Sequence, residues 1–356
     1  MARRRSKKTN KYIILITVLI IVVLVALIAI LAWQGRLEGL IDDLSGIFFD
    51  NSSSDNNSTN GSGSSIDKGG ASFPGASYGE INGETIAVHF VSVGQGDAII
   101  IELPEDKYMV IDAGSGTSVS KDTKDDYYAY LDGVIDGETI DYLIATHPDA
   151  DHVNMLSGIL TEYEVKNIYY NEYSSASKTY SKFIEDAQSE EGATLILIDD
   201  GDDFTQTFSV GTCSLTIYSS GNDGFSKEGT TANEMSIMCL LSYGSRKILF
   251  TGDATDGTEE WFIEYTNDDT YDVDFLKVGH HGSAGSSSTA FLNYVNAEYG
   301  IICVDEEKND YGHPTKEALD RLAEQEMTVY RTDTNGDIVL TIDSEGDYAF
   351  TFSKDS

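Results

Sequence analysis

Residues 146–152, Thr-His-Pro-Asp-Ala-Asp-His, are the most informative stretch of this sequence. They follow an apolar run at 142–146 that predicts a buried strand. Two imidazoles and two carboxylates within six residues, on a loop that leaves a strand, are placed to bind one or two cations. Pro148 and Ala150 alternate with these side chains and direct them to one side. A solvated aspartate-rich loop is the alternative, and the histidine at each end argues against it.

Two further polar clusters also come directly after predicted strands. Asp253 follows the strand predicted at 247–250, where a lone aspartate usually caps a helix. The adjacent His280 and His281 follow the strand predicted at 273–278. Because neighbouring side chains point in different directions, we expect one of the two to bind a metal and the other to support the site or transfer protons.

The remaining histidines and the cysteines give weaker indications of a catalytic or metal-binding role. His313 lies in a loop before a predicted helix, where it either begins the helix or joins the site. His89 lies inside an apolar strand and is predicted to be a hydrogen-bonded core residue. The chain has three cysteines that are far apart and lie in apolar runs: Cys213, Cys239 and Cys303. Buried free thiols are therefore expected, rather than disulfides or a cysteine-rich zinc site.

The order of the predicted elements indicates an α/β fold. From residue 85 onward, short strands separated by Gly and Asp turns come first, and helices then alternate with strands. The same order repeats in the second half of the chain. This repetition favours two β-rich halves with helices on the outside, which is a layered α/β arrangement.

The charge of the chain excludes one class of function. Its 356 residues include 23 basic and 60 acidic side chains, for a formal net charge of −37. Beyond residue 36 there are 16 basic and 60 acidic residues, a difference of −44. Residues beyond position 36 therefore repel polyanions, so binding of long duplex DNA in a basic groove is disfavoured. The hydrophobic content of 40% excludes a wholly disordered chain.

The first 83 residues are predicted to lie outside the folded domain. Residues 1–11 are a basic tail, and 12–33 are an almost unbroken apolar run, long enough for one membrane-spanning signal anchor. The basic tail should stay in the cytoplasm, which places residues 84–356 outside the cell at its membrane. Cleavage as a long signal peptide, giving a secreted protein, is the alternative. Residues 34–83, rich in Ser, Asn and Gly, predict a flexible linker.

The polar clusters resemble the metal-binding motifs of the metallo-β-lactamase superfamily. More narrowly, they resemble the extracellular hydrolase domain of ComEC competence proteins and its stand-alone relatives. The matching segments, in chain order, are 91–98, 111–114, 147–152, 233–236, 250–254, 278–283, 311–314 and 331–333. Asp149 stands where most of the superfamily has a second histidine, and the usual Gly-Gly after the loop is absent. The resemblance implies a four-layer αββα sandwich over residues 84–356.

The resemblance also implies roles for individual residues. The implied metal ligands are His147, Asp149, Asp151, His152, Asp253 and one or both of His280 and His281. Asp151 would orient the attacking water, and His313 or the non-ligand histidine would contact the phosphate or protonate the leaving group. Asn233, Ser236 and Ser283 would line the substrate pocket. The oxygen-rich ligand set favours Mn²⁺, and the imidazoles are also compatible with Zn²⁺. One or two ions are expected.

These expectations combine into one leading hypothesis and two alternatives. The leading hypothesis is a membrane-anchored extracellular phosphodiesterase or nuclease that uses a metal-activated hydroxide on a short or single-stranded phosphodiester. The first alternative keeps the metal site and changes the substrate to a cell-wall phosphoester or a lactone. The second is a non-catalytic surface binding module with a degenerate metal site. No protein partner is predicted.

Overall fold

The computed structural model describes residues 85–354, apart from 136, 138, 172–176, 199–202, 221–230, 269–270, 306–308 and 310. Within these residues, no helix has both the length and the apolar character needed to cross a membrane. The predicted cytoplasmic tail, membrane anchor and linker lie outside the described residues.

The described residues form two β-sheets with helices between their strands. The strands are β1 Thr85–Phe90, β2 Ala98–Leu103, β3 Lys107–Ala113, β4 Thr139–Ile144, β5 Glu164–Asn171, β6 Thr194–Ile198, β7 Phe204–Val210, β8 Cys213–Ser219, β9 Met238–Tyr243, β10 Arg246–Phe250, β11 Phe275–Lys277, β12 Tyr299–Ile302, β13 Thr328–Arg331, β14 Ile338–Asp343 and β15 Tyr348–Phe352. The α-helices are α1 Lys121–Val134, α2 Ala150–Val153, α3 Leu156–Glu162, α4 Lys178–Ser189, α5 Asp256–Thr266, α6 Thr289–Val295, α7 Lys316–Glu324 and α8 Thr332–Asn335.

The two sheets share one plan, in which antiparallel strands lead into parallel ones. The first sheet has the order β15-β14-β1-β2-β3-β4-β5-β6, with parallel pairing from β3 to β6. The second has the order β13-β12-β11-β10-β9-β8-β7, with parallel pairing from β10 to β13. The last strand pair, β14 and β15, returns to the first sheet beside β1, so both halves of the sequence contribute to that sheet.

Three apolar cores separate four layers. The largest core lies between the sheets, where Ile99 and Ile144 of the first sheet face Leu215 and Phe250 of the second. A second core packs α1, α3 and α4 on the outer face of the first sheet, and a third packs α5, α6 and α7 on the second sheet. Each fully buried side chain of this size stabilises the fold by about 1.5–3 kcal/mol through removal from water. The predicted αββα arrangement is confirmed.

The structure differs from the sequence-based elements where burial is weak. The apolar pattern at 127–135 predicts a helix there, but helix α1 begins earlier, at Lys121, because Ser120 caps it by accepting a hydrogen bond from Thr123 N. Strand β7 was not predicted. It is an edge strand with only Val210 buried, so its sequence carries little of the apolar pattern on which strand prediction depends.

The fold brings the polar loops to one edge of the sandwich. The 146–152 loop follows β4 in the first sheet, and the Asp253 and His280–His281 loops follow β10 and β11 in the second. These strands belong to parallel runs whose carboxyl ends lie at a common edge, which is where ligands bind in α/β folds. Two predictions on other residues are also confirmed. His89 is buried and bonded to Tyr130 Oη and Glu102, and the three cysteines are free and buried.

Candidate metal centre

Asp112 organises the loop at 146–152 from behind. Its Oδ1 accepts a hydrogen bond from Thr146 N at 2.8 Å, and its Oδ2 accepts from Thr146 Oγ1 at 2.6 Å. The same Oδ2 lies 2.8 Å from His152 Nδ1. Asp112 is fully buried and has a φ of 56°, an uncommon value for a non-glycine residue. Because His152 donates from Nδ1, its Nε2 is left to face the centre.

Asp253 is held against this loop from the second sheet. Its backbone N donates to Ser236 Oγ at 3.0 Å, and Ser236 Oγ also lies 3.5 Å from His147 Nδ1. The preceding Gly252 has a φ of +52°, and a Cβ there would lie 2.9 Å from Thr146 Oγ1. A glycine is therefore required for the two loops to approach this closely.

His280 and His281 both turn towards Asp253. They have φ values of 49° and 53°, two successive left-handed residues inside a short 3-10 helix. His281 is buried and donates from Nδ1 to the carbonyl of Cys303 at 2.7 Å, which leaves its Nε2 facing His152 Nε2 at 3.3 Å. His280 is more exposed, with Nε2 3.7 Å from Asp253 Oδ2. The structure thus brings both histidines to the centre through their Nε2 atoms.

The two carboxylate oxygens of Asp253 face two different sets of imidazoles. Oδ1 lies 3.1 Å from His152 Nε2 and 3.5 Å from His281 Nε2. Oδ2 lies 3.8 Å from His147 Nε2 and 3.7 Å from His280 Nε2. A carboxylate between two pairs of imidazoles could be shared by two divalent cations, with the imidazoles as further ligands.

The chemistry of the donors fits a divalent cation. His147 is fully buried, and its Nε2 makes no hydrogen bond within the described part of the chain. Burial, followed by the neighbouring His152, lowers the pKa of His147 well below its usual value, so the ring is neutral and has a lone pair for a metal. His147, His152 and Asp253 each place a donor atom within 4.8 Å of the others. An unpaired imidazole nitrogen beside a buried carboxylate is explained by a bound cation.

Asp149 and Asp151 lie at the outer side of this cluster. Asp149 Oδ2 is 3.8 Å from His147 Nε2, and Asp151 Oδ2 is 3.7 Å from His281 Nε2. Their side chains are 48% and 18% exposed, so Asp149 opens widely to solvent and Asp151 is more enclosed. Burial and the nearby Asp151 raise the pKa of Asp149. Both are carboxylates that a cation at the centre would stabilise in their charged form.

A buried ion pair lies beneath the centre, and the sequence analysis did not predict it. Lys277 Nζ lies 2.7 Å from Asp97 Oδ2, and both side chains are almost completely buried. Asp97 also approaches His281 and His152, but through their Nδ1 atoms, which already bond to Cys303 O and Asp112. Asp97 therefore supports the ligands rather than binding with them. The available signal was a charged Lys277 in the otherwise apolar end of β11.

The centre opens into a pocket of about 340 Å³. Its lining includes Asp151, His280, His313, Gln95 and Tyr311. The His313 ring packs edge-on against His280 with ring centroids 5.1 Å apart. Burial, followed by the neighbouring His280, lowers the pKa of His313 to about 4, so this ring is neutral at pH 7. The pocket thus offers neutral imidazoles beside a carboxylate-rich centre.

Comparison with known proteins now identifies the family. The model of the metallo-β-lactamase superfamily matches residues 91–305, which include every ligand described above. The chain belongs to the metallo-β-lactamase superfamily. This membership and the ligand cluster fit a site for divalent metal ions.

Curated relatives of this chain include competence protein ComA of Neisseria gonorrhoeae, which is 34% identical over 104 residues that cover 29% of this chain and 15% of the relative. ComE operon protein 3 of Bacillus subtilis is 26% identical over 263 residues, which cover 70% of this chain and 32% of the relative. Recombination protein 2 of Haemophilus influenzae is 23% identical over 263 residues, covering 73% of this chain and 29% of the relative. The chain thus spans about a third of the length of the latter two relatives. The resemblance to ComEC proteins noted from the motifs is confirmed.

Among solved structures, Zn²⁺-bound PqqB from Methylobacterium extorquens is similar with a TM-score of 0.43 and 10% identity. The match covers 70% of this chain and 98% of that one.

Three serine and asparagine residues were predicted to line the substrate pocket, and the structure places none of their side chains in the described pocket lining. Ser236 is buried behind Asp253 and His147 and supports them instead. Ser283 Oγ accepts from Gly285 N within its own turn, away from the pocket lining. Asn233 Nδ2 lies 3.3 Å from His280 Nδ1 and 3.1 Å from His280 Nε2, so it contacts this ring outside the pocket lining. Sequence spacing alone did not show which side of each loop faces the pocket.

Proposed function

We propose that this metallohydrolase cleaves phosphodiesters at a centre that holds two divalent ions. The observation that carries the proposal is the placement of Asp253, whose two oxygens face separate pairs of imidazoles. Two-ion centres suit in-line displacement at phosphorus, because the attacking and leaving oxygens need stabilisation at the same time. Carboxylates from Asp149, Asp151 and Asp253 favour Mn²⁺, and the imidazoles are also compatible with Zn²⁺.

Asp151 and His313 would have separate roles in hydrolysis. A divalent ion, when bound, lowers the pKa of water and polarises a phosphoryl oxygen. Asp151, 18% exposed beside the centre, is placed to orient the attacking water and to accept its proton. As the water oxygen bonds to phosphorus, the bond from phosphorus to the leaving oxygen breaks. Neutral His313 donates a hydrogen bond to that leaving oxygen, which takes its proton from solvent in the open pocket.

The electrostatics of the pocket and the names of the relatives support an anionic substrate. Among the described residues, no lysine or arginine lines the pocket, so the bound cations provide its positive charge. One relative is named a competence protein and another a recombination protein, which makes nucleic acid a natural phosphodiester. The net charge of −37 favours a short or single-stranded substrate over long duplex DNA.

The test of this function uses the full chain and single substitutions at the centre. His147→Ala and Asp151→Ala should each abolish hydrolysis of a generic phosphodiester with Mn²⁺ or Zn²⁺, because each removes a ligand or the group that orients water. Circular dichroism checks that both variants remain folded. A panel with a phosphomonoester, a phosphocholine-type ester and a lactone separates the alternatives. Full phosphodiesterase activity in both variants, or wild-type activity on the lactone alone, would exclude the proposal.

We propose further that residues 12–33 anchor the protein in the cell membrane, with the hydrolase domain outside the cell. The support is the apolar run itself and the basic cluster that precedes it. In intact cells, added protease should remove the hydrolase domain while the full chain otherwise sediments with membranes. A chain that stays in the soluble cell fraction, or that resists protease until the cells are lysed, would contradict this location.

A further inference from the structure

Gln95 lies in a loop that is clamped to the metal-binding loop. Gly94 and Gly96 flank it, and a Cβ on Gly96 would meet the carbonyl oxygens of Gly114 and Asp151 at 2.4 and 2.5 Å. The next residue, Asp97, donates its backbone N to Asp151 O at 3.0 Å. The position of Gln95 is therefore fixed relative to Asp151, with backbone in direct contact with backbone.

The side-chain amide of Gln95 has no partner in the described part of the chain. The residue is 4% exposed and lines the pocket, yet neither Nε2 nor Oε1 makes a hydrogen bond there. Exchanging the two amide atoms would not change this, because both are unpaired. A buried unsatisfied amide costs about 1–3 kcal/mol, so its retention indicates a partner that arrives from the pocket.

The chemistry of the pocket indicates what that partner is. The unpaired His147 Nε2 is explained by a cation, because a neutral imidazole is a strong metal ligand. A primary amide is a weaker ligand and a better hydrogen-bond donor, and no lysine or arginine among the described residues lines the pocket. Negative charge that develops on a non-bridging phosphoryl oxygen needs a fixed donor of this kind.

We propose that Gln95 Nε2 donates a hydrogen bond to a non-bridging oxygen of the phosphodiester and stabilises it most in the transition state. The assignment rests on the proposed phosphodiesterase function and adds a substrate-contacting residue to it. Because the loop is fixed against Asp151, the donor needs no rearrangement when the substrate binds.

The test compares wild-type full chain with Gln95→Met and Gln95→Glu. Loss of a single fixed donor should lower kcat by about 10²-fold in Gln95→Met, with a smaller change in KM. Gln95→Glu, which places a carboxylate against the anion, should lose at least as much activity. Metal content should match wild type in both variants. The melting temperature of Gln95→Met should equal or exceed that of wild type, because no hydrogen bond is lost.

Asn167→Leu is the matched control, since its amide donates to Asp141 O at 2.9 Å far from the pocket. It should lower stability and leave kcat unchanged. A kcat for Gln95→Met within two-fold of wild type would overturn the assignment while leaving the phosphodiesterase function intact. A wild-type chain that is loaded with metal and cleaves no phosphodiester would overturn both. If Gln95→Met does not fold, the isosteric Gln95→Glu decides: kcat near that of wild type would overturn the assignment.

Discussion

Asp112 connects the first sheet to the metal centre through a single carboxylate. It accepts hydrogen bonds from Thr146 N and Thr146 Oγ1 and from His152 Nδ1, which fixes both the loop and the tautomer of one ligand. Burial alone would lower the pKa of His152, but Asp253 and Asp112 together raise it well above its usual value. Partners of this kind orient metal ligands and strengthen them as donors.

Asp112→Asn should weaken metal binding about 10–100-fold while the ligands themselves remain present. The amide keeps the size of the carboxylate but loses the charge that orients His152. Calorimetric titration of the metal-free chain with Zn²⁺ or Mn²⁺ measures the change. Asp343→Asn is the control, because this buried carboxylate accepts from Glu345 N and Asp347 N at the other end of the first sheet. Equal metal affinity in both variants and wild type would contradict this role.

The ligands of the centre could be predicted from the sequence, and the groups that support them could not. His147, His152 and Asp253 stand out because polar residues directly after apolar strands are conspicuous. Asp97 and Lys277 are 180 positions apart, and only the packing of the two sheets brings them within 2.7 Å. Gln95 carries no local signal for its unpaired amide, because hydrogen bonding in a loop is decided by tertiary contacts.

At the scale of elements, Gly114 sets the closest approach between loops in the site. Gly114 follows β3, and a Cβ there would lie 2.2 Å from Asp151 C and 2.3 Å from His152 N. The loop after β3 therefore packs directly on the backbone of the metal loop. The apolar patterns at 97–103 and 107–112 predict strands that nearly match β2 and β3, whereas this contact between loops leaves no periodic pattern.

Gly114→Ala should displace the metal loop and lower the free energy of unfolding by about 1–3 kcal/mol, because backbone atoms cannot yield to the added methyl group. Metal affinity should fall with it. Gly285→Ala is the control, since its nearest neighbour is Ser283 Oγ at 3.9 Å. Urea unfolding and metal titration of both variants check the effect. A Gly114→Ala chain as stable and as tightly metal-bound as Gly285→Ala would contradict the packing described.

At the scale of the whole molecule, the negative charge decides how substrates approach. The acidic residues repel a long polyanion, and in the proposed function the cations of the centre would supply the positive charge that binding needs. A protein that binds nucleic acid through lysines and arginines loses affinity as salt rises. This chain should show the opposite trend, because salt screens a repulsion over a Debye length of about 8 Å at 0.15 M.

With saturating metal, kcat/KM for long single-stranded DNA should therefore rise as monovalent salt increases from low to physiological concentration. A dinucleotide, which carries a single phosphodiester, should show little change and serves as the internal control. Initial rates over a salt series measure both. A steep fall in kcat/KM for the long substrate would mean that a basic surface outside the pocket binds it.

We propose that two cations would share Asp253 in a phosphodiesterase centre. Titration of the metal-free full chain with Mn²⁺, with phosphodiester hydrolysis followed and bound metal counted, tests this proposal. We expect activity to rise until two ions are bound per chain, and we expect Asp253→Asn to fail to reach this state. A chain that binds its full complement of metal and still hydrolyses no phosphodiester would show that this centre is not a phosphodiesterase.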